Sequence, residues 1–116
     1  MNSSIKISII VPIYGVEQYI EQCARSLFEQ TYDNVELIFV NDGSPDNSMS
    51  ILRGLLEGEY ASWKDKCIIV EQANSGLPAA RKAGLARASG DYVLYVDSDD
   101  WLEIFIMQIL FVRMWI

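Results

Sequence analysis

The apolar positions along the chain follow two alternating periodicities. Nearly continuous apolar runs, typical of strands buried on both faces of a sheet, occur at 5–13, 35–40, 66–71 and 91–97. Between these runs, apolar residues recur every three or four positions, which predicts amphipathic helices over 17–30, from 45 onward and over about 77–89. Strict alternation of strand and helix indicates an α/β fold in which a mainly parallel sheet lies between two layers of helices.

The predicted helices have recognisable ends and faces. Ser44 followed by Pro45 is expected to supply the N-cap and the first residue of the second helix. Gly90 is expected to end the third helix, whose small residues allow close packing on the sheet. The face of the first helix that is predicted to be buried consists of Tyr19, Ile20, Cys23, Ala24, Leu27 and Phe28.

A polar cluster follows each of the four predicted strands. In chain order the clusters are PIYGVE, NDGSPDNS, QANSG and DSDD. The carboxyl ends of parallel strands lie at one edge of a sheet, and ligands bind outside that edge. The connections at the opposite edge, 31–34 and 61–65, are predicted to be plain turns. This asymmetry predicts a ligand site at the carboxyl edge.

The composition narrows the chemistry of such a site. The chain of 116 residues has a formal net charge of −7, which argues against nucleic acid as a partner because phosphate backbones require clusters of Lys and Arg. It contains no histidine, which excludes Ser-His-Asp and Cys-His nucleophilic sites and most zinc sites. A metal would therefore be held mainly by carboxylates, the ligands that Mg²⁺ and Mn²⁺ favour.

The carboxylates of the last cluster are candidate metal ligands. Asp97, Asp99 and Asp100 lie within four positions, and like charges this close are unfavourable unless they hold a cation or point into water. An Asp-x-Asp pair suits a divalent cation whose coordination is completed by diphosphate oxygens. The alternative is a solvated turn in which an aspartate such as Asp100 caps the next helix.

Three further residues at this edge have both a functional and a structural interpretation. Asp42 would accept hydrogen bonds from a base or ribose, or would shape an Asp-Gly turn. Arg81, one turn into the third predicted helix, would bind an anion or carry a surface charge. Tyr14 would stack on a flat ligand or cover the end of the sheet.

Taken together, these motifs resemble the nucleotide-binding half of the inverting glycosyltransferases of family 2, which have the GT-A fold. The resemblance covers residues 5–103 and rests on SIIVPIYGVEQYIEQCARSLFEQTYDNVELIFVNDGSPDNS and ANSGLPAARKAGLARASGDYVLYVDSDDW. It implies a Rossmann-like, three-layer αβα domain with strand order 3-2-1-4. It also implies transfer of a sugar from a nucleoside-diphosphate donor, usually UDP-linked, to an acceptor hydroxyl with inversion, in polysaccharide or glycan synthesis.

The resemblance also implies roles for the residues that contact the nucleotide. Pro12 and Tyr14 would line the base site, with Glu17 nearby. Asp42 would hydrogen-bond the base, and Arg81 would lie near the diphosphate. These residues form the predicted donor site.

The Asp-x-Asp signature implies a divalent metal, Mg²⁺ or Mn²⁺. Asp97 and Asp99 would point one toward the ribose or sugar and one toward the metal, with Asp99 the favoured ligand and Asp100 its rival. Two positions depart modestly from the family pattern, since Gly15 and Lys82 stand where Asn is usual.

The larger departure is at the end of the chain, which stops 16 residues after Asp100. Family members continue into a second half that supplies the acceptor site and the general base, and Glu103 lies too close to the metal motif to serve as that base. We therefore expect a donor half-domain over 1–103. In 104–116, eleven of thirteen residues are apolar. This tail is too short to span a bilayer and has little of the polar face of an interfacial helix, which leaves a buried terminal helix open. We expect the chain to be truncated, or to depart from the family's reading frame, near 104.

Three hypotheses remain at this point. The chain is the donor half of a metal-dependent glycosyltransferase, a nucleotide- and metal-binding module without transfer activity, or an inactive fragment whose tail drives association. The expected partners are a nucleotide-sugar and a saccharide or lipid-linked saccharide acceptor, with peripheral membrane association and homo-oligomers left open. The expected location is the cytoplasm or the inner face of the cell membrane.

Overall fold

The computed structural model describes residues 5–98, which form a sheet with helices on both faces. In chain order these residues form β1 (Ile7–Ile13), α1 (Ile20–Phe28), β2 (Val35–Asp42), α2 (Ser48–Glu57), a 3-10 helix (Ala61–Lys66), β3 (Cys67–Gln72), α3 (Leu77–Arg87) and β4 (Tyr92–Tyr95). Neighbouring strands are parallel, and their order is β3-β2-β1-β4. The predicted α/β class, parallel sheet and 3-2-1-4 order are confirmed.

The two central strands are buried from both sides, which explains their almost wholly apolar sequences. Every residue of β1 is buried. One side of the sheet packs against α1 and α2 in a cluster that includes Val11, Leu27 and Phe39. The other side packs against α3 in a smaller cluster that includes Val40 and Ala80. Packing against the helices therefore fixes the position of the sheet, and with it the position of its carboxyl edge.

Helix α3 lies close to the sheet because small residues face the strands. A Cβ atom added to Gly84 would lie only 2.4 Å from Cγ2 of Ile10 and 3.2 Å from Cγ2 of Val40. Ala80, one turn earlier, is fully buried. The predicted close packing of this helix is confirmed, and it brings the first turn of α3 to the carboxyl edge.

The predicted start of the second helix is wrong. Helix α2 begins at Ser48, and Asn47 rather than Ser44 occupies the N-cap position. The hydroxyl of Ser44 instead donates a hydrogen bond to Oδ1 of Asp46 at 2.6 Å. The local pattern predicted that Ser44 would cap the helix, but its hydroxyl is bound to a nearby carboxylate instead.

Three smaller differences concern the ends of elements. Tyr19 was expected on the buried face of α1 but is 46% exposed, since the helix begins only at Ile20. Helix α3 ends at Arg87, before the expected stop at Gly90. The connection at 61–65, predicted to be a plain turn, forms most of the 3-10 helix.

The predicted domain boundary at 103 and the apolar tail at 104–116 lie outside the described residues, so both stay predictions. Among the helices within residues 5–98, none has the length and apolar character needed to cross a membrane.

Candidate functional site

A cavity of about 430 Å³ opens at the carboxyl edge of the sheet. Four residues predicted from the sequence to form the site line it, namely Pro12, Tyr14, Asp42 and Asp97. Residues from the loop after β3 and from the start of α3 complete the wall: Asn74, Gly76, Leu77 and Ala80. The structure therefore brings residues from all four strand ends to one cavity, and their functional roles stay predictions.

The loop after β1 forms one wall of the cavity. Pro12 is buried in β1, whereas the side chain of Tyr14 is 51% exposed. Gly15 follows with a φ of +63°, a left-handed conformation that turns the chain away from the strand. An exposed ring beside an open cavity is available to stack on a flat ligand.

Asp42 lies at the end of β2 and is only 4% exposed. Its Oδ1 accepts hydrogen bonds from Nε2 of Gln72 at 2.9 Å and the backbone N–H of Ser75 at 2.8 Å, and its Oδ2 accepts one from the N–H of Gly76 at 3.0 Å. Burial alone would raise the pKa of Asp42, but these three donors outweigh burial and hold the pKa below its ordinary value. Asp42 is therefore ionised, and it fixes the loop between β3 and α3 as well as facing the cavity.

Gly43 shows why an Asp-Gly pair occurs at the end of β2. Its φ is +66°, and a Cβ atom there would lie 2.7 Å from the backbone nitrogen of Asn74. The loop carrying Asn74 can approach Asp42 this closely because no side chain intervenes. The structural interpretation of Asp42 as a turn residue and the functional one are thus both compatible with the geometry.

Arg81 does not line the cavity, but it forms an ion pair with Asp97, which does. Nη2 of Arg81 lies 3.2 Å from Oδ1 of Asp97, and the two side chains are 40% and 46% exposed. The guanidinium carbon also lies 5.6 Å from the ring centroid of Tyr95. Nε of Arg81 is buried without a hydrogen-bond partner among the described residues. Arg81 is therefore oriented by Asp97 and Tyr95 and has an N–H group without an acceptor among the described residues, unlike a freely solvated surface charge.

Glu17 does not line the cavity, although it was predicted to lie near the base. Its backbone N–H donates to Oδ2 of Asp46 at 3.1 Å, and its Oε1 accepts a hydrogen bond from the N–H of Asn47 at 3.4 Å. Glu17 thus links the loop after β1 to the loop before α2. It holds the loop that carries Tyr14 and Val16 without lining the cavity itself.

Asp46 is a residue of the site that the sequence motifs did not single out. Burial acts to raise its pKa, but hydrogen bonds from Ser44, Ser48 and the N–H of Glu17 lower it well below the ordinary value. The available signal was an extra acid between two serines in NDGSPDNS. Its one partner in the loop after β1, the N–H of Glu17, lies 29 positions away in sequence, so the local pattern does not reveal it.

The residues that could hold a metal are only partly described. Within residues 5–98, no group of three or more carboxylate, thiol or imidazole side chains converges on one point. Asp42 already accepts three hydrogen bonds, which leaves Asp97 as the described carboxylate suited to a metal. Asp99 and Asp100 lie outside the described residues. An oxygen ligand such as Asp97 fits a hard divalent cation that takes its other ligands elsewhere.

Comparison with known proteins agrees with the geometry. The family model described as Glycosyl transferase family 2 matches residues 8–104. Glycosyltransferase GlyA of Streptococcus pneumoniae is 47% identical over 98 residues, which are 84% of this chain and 13% of that protein. The putative glycosyltransferase EpsH of Bacillus subtilis is 42% identical over 97 residues, 84% of this chain and 27% of that protein. The chain thus spans a minor part of these relatives.

Solved structures share the fold. TarS 1-349 of S. aureus in complex with UDP-GlcNAc is 31% identical with a TM-score of 0.75, over 89% of this chain and 29% of that one. The mannosyltransferase PcManGT of Pyrobaculum calidifontis, solved with GDP-Man and Mn²⁺, has a TM-score of 0.71 at 24% identity, over 86% of this chain and 30% of that one. The sheet is that of the GT-A fold, and the chain belongs to glycosyl transferase family 2.

Proposed function

We propose that this chain forms the donor-binding part of a metal-dependent, inverting glycosyltransferase that uses a UDP-linked sugar in polysaccharide or glycan synthesis. The observation that carries the proposal is the cavity of about 430 Å³ that Tyr14, Asp42 and Asp97 line at the carboxyl edge. Membership of glycosyl transferase family 2 supports it, as does similarity to TarS, a protein solved with UDP and with UDP-GlcNAc.

In this proposal the nucleoside lies across the end of β1 and β2. The ring of Tyr14 stacks on the base, and the ionised carboxylate of Asp42 accepts the base N–H. Pro12 forms the floor, and Glu17 supports the loop from outside the cavity. The carboxylate of Asp42 is already oriented by its backbone donors, so little ordering is needed on binding.

The diphosphate lies toward Arg81 and Asp97. The guanidinium has N–H groups beyond the one that faces Asp97, and these can donate to phosphate oxygens. Asp97 and the predicted ligands Asp99 and Asp100 would hold Mg²⁺ or Mn²⁺. A bound divalent ion would neutralise the negative charge that grows on the departing diphosphate. Arg81, by donating to the phosphate oxygens, and Asp97, by holding the metal, would then both orient the leaving group.

The acceptor and the general base belong to the wider proposal. Inversion requires a base that takes the proton from the attacking hydroxyl, and we expect that base outside the described residues. The proposed acceptor is a saccharide or a lipid-linked saccharide. The proposed location is the cytoplasm, peripheral at the inner face of the cell membrane. Cell fractionation and size measurement in solution would test the location and any self-association.

Calorimetric titration with UDP, with and without Mn²⁺, tests the donor site. We expect Mn²⁺-dependent binding by the wild type. In Asp97→Asn the affinity for UDP in Mn²⁺ should be lower by roughly tenfold or more, because a proposed metal ligand loses its charge. A tenfold loss corresponds to about 1.4 kcal/mol. In Asp99→Ala the Mn²⁺-dependent binding should be lost. The matched control is Asp91→Asn, which changes an aspartate at the other end of β4, where its Oδ2 accepts a hydrogen bond from the N–H of Lys6 at 2.9 Å.

The outcomes of this titration separate the hypotheses. Absence of UDP binding by the wild type would refute the proposal and leave an inactive fragment. Equal affinity in Asp97→Asn and Asp91→Asn would remove Asp97 from the donor site. Binding without release of sugar from any UDP-sugar, in the presence of candidate acceptors, would leave a nucleotide-binding module.

A further inference from the structure

Three consecutive backbone N–H groups in the loop after β1 are bound by side chains from the loop before α2 and from the first residue of α2. Each N–H is received by a different side chain, at 2.9 to 3.1 Å. The pairs are Gly15 N–H to Oγ of Ser44, Val16 N–H to Oγ of Ser48, and Glu17 N–H to Oδ2 of Asp46. We call this set of hydrogen bonds the loop clamp.

Asp46 orients the other two acceptors of the clamp. Its Oδ1 accepts hydrogen bonds from the hydroxyls of Ser44 and Ser48, both at 2.6 Å, and from the N–H of Ser48 at 3.1 Å. Because each hydroxyl donates its single proton to Asp46, its lone pairs are directed at the backbone N–H groups opposite. One carboxylate thus determines the orientation of all three acceptors.

An ionised carboxylate suits this position better than its neutral amide. Four donors converge on the two oxygens of Asp46, and the pKa of Asp46 is lowered accordingly. An asparagine would turn an N–H₂ group toward one side of this set, so it would face either the serine hydroxyls or the N–H of Glu17. At least one hydrogen bond that forms or orients the clamp would be lost.

The clamped loop carries residues of the cavity wall. Tyr14 directly precedes the first clamped N–H, and Val16 is itself clamped; both line the cavity. The side chain of Tyr14 is 51% exposed, so packing contributes little to holding Tyr14 itself, whereas Val16 packs against the core. The hydrogen bonds of the clamp therefore add to the packing of Val16 in holding the backbone of this wall.

We infer that Asp46 is a positioning residue: through the loop clamp it holds the segment from Tyr14 to Glu17 in the conformation that receives the nucleotide base. The inference rests on the proposed function, because it assigns the donor site a residue that does not itself touch the ligand. A wall that is ordered before binding spares the ligand the cost of ordering it.

The test combines amide hydrogen exchange with UDP titration of Asp46→Asn. In the free protein we expect exchange at Gly15, Val16 and Glu17 to become faster by about tenfold or more, because these hydrogen bonds open locally. In Mn²⁺ we expect the affinity for UDP to fall by about tenfold. The exchange of strand N–H groups in β1 and β2 should be unchanged.

Glu36→Gln is the matched control for a general loss of stability. Glu36 is also a carboxylate that accepts several hydrogen bonds, but it lies at the opposite edge of the sheet. This variant should lower the thermal midpoint and leave UDP affinity and the exchange of the clamped N–H groups unchanged. If it weakened UDP binding as much as Asp46→Asn does, the positioning role would be overturned.

A serine pair provides the second, milder variant. Ser44→Ala removes one acceptor of the clamp, and Ser44→Thr keeps the hydroxyl. We expect faster exchange at Gly15 and weaker UDP binding in Ser44→Ala, with recovery of both in Ser44→Thr. Wild-type affinity in both Asp46→Asn and Ser44→Ala, in a protein that binds UDP, would overturn the inference alone. Absence of UDP binding by the wild type would overturn the proposed function and, with it, this role.

Discussion

The two edges of the sheet use buried carboxylates in the same way but with different results. At the amino edge, Oε2 of Glu36 accepts hydrogen bonds from Oγ of Ser8 and the N–H of Ser89, both at 2.6 Å, and Nζ of Lys6 lies 3.4 Å from Oε1. At the carboxyl edge, Asp42 also accepts backbone N–H groups, but its partners among residues 5–98 include no cation and a cavity opens beside it. One edge is closed and neutralised, whereas the other leaves a charge facing a cavity.

The difference shows where stability and binding separate in this fold. A carboxylate with a lysine and only protein partners contributes to stability alone. A carboxylate that faces a cavity, with backbone donors on one side only, is oriented for a ligand on the other side. Substitutions at the two edges should therefore have different effects.

Asp42→Asn should have the largest effect, on nucleotide affinity. The amide would present N–H₂ either to the loop donors or to the base, and both arrangements leave a donor without an acceptor. We expect the affinity for UDP to fall on the order of a hundredfold, about 2.8 kcal/mol, in calorimetry. Gln72→Ala is the matched control, since it removes one donor to Asp42 and keeps the carboxylate. Equal losses in the two variants would show that Asp42 acts only by holding the loop.

Glu36→Gln should lower stability without changing affinity. The carboxylate is 7% exposed, and a neutral amide cannot accept all of its present hydrogen bonds, so we expect a loss of about 1–3 kcal/mol in the free energy of unfolding. Chemical denaturation measures this loss, and calorimetry with UDP checks that affinity is retained. A change in UDP affinity comparable to that in Asp42→Asn would contradict the separation of the two edges.

The stability difference between wild type and Glu36→Gln should depend on pH in a definite direction. Burial would raise the pKa of Glu36, but hydrogen bonds from Ser8 and Ser89 and the charge of Lys6 lower it below its ordinary value of 4.5. The unfolded chain therefore binds a proton first, so the contribution of Glu36 is complete above that value and is lost as the pH falls through the lower folded value. The difference between wild type and Glu36→Gln should shrink on acidification below 4.5 and stay constant above it.

The fold could be predicted from the sequence because its information is local. β1 and β2 are buried on both sides, so their apolar runs directly indicate central strands of a parallel sheet. The small residues around Gly84 likewise indicated a helix that lies close to the sheet. Periodicity and residue size were sufficient for these elements because each reflects the immediate surroundings of one element, whereas the strand order 3-2-1-4 came from the family resemblance.

The hydrogen bonds that hold the site together could not be predicted in the same way. Asp42 is bound by donors thirty or more positions away in sequence, and Asp46 by one donor 29 positions away, and no local pattern specifies such pairs. The wrong N-cap at Ser44 has a local origin instead, since its hydroxyl donates to Asp46 two residues later and α2 begins after both. Motifs thus identified the edge and four residues of the cavity, whereas the role of Asp46 could be inferred only from its contacts in the folded structure.

Gly15→Ala should have the smallest effect and tests the carboxyl edge most finely. The φ of Gly15 is +63°, and no atom lies within 4 Å of the position a Cβ would take, so the cost is backbone strain alone. We expect a loss of about 1–2 kcal/mol in the free energy of unfolding, the usual penalty for a residue with a Cβ in the left-handed region. Gly15→Asn should lose less, because asparagine tolerates this conformation better. Denaturation of the two variants side by side measures the difference. Since both keep the N–H that binds Ser44, UDP affinity should change by less than in Asp46→Asn; a larger loss would mean that the loop moves to relieve the strain and that the clamp is weaker than its geometry indicates.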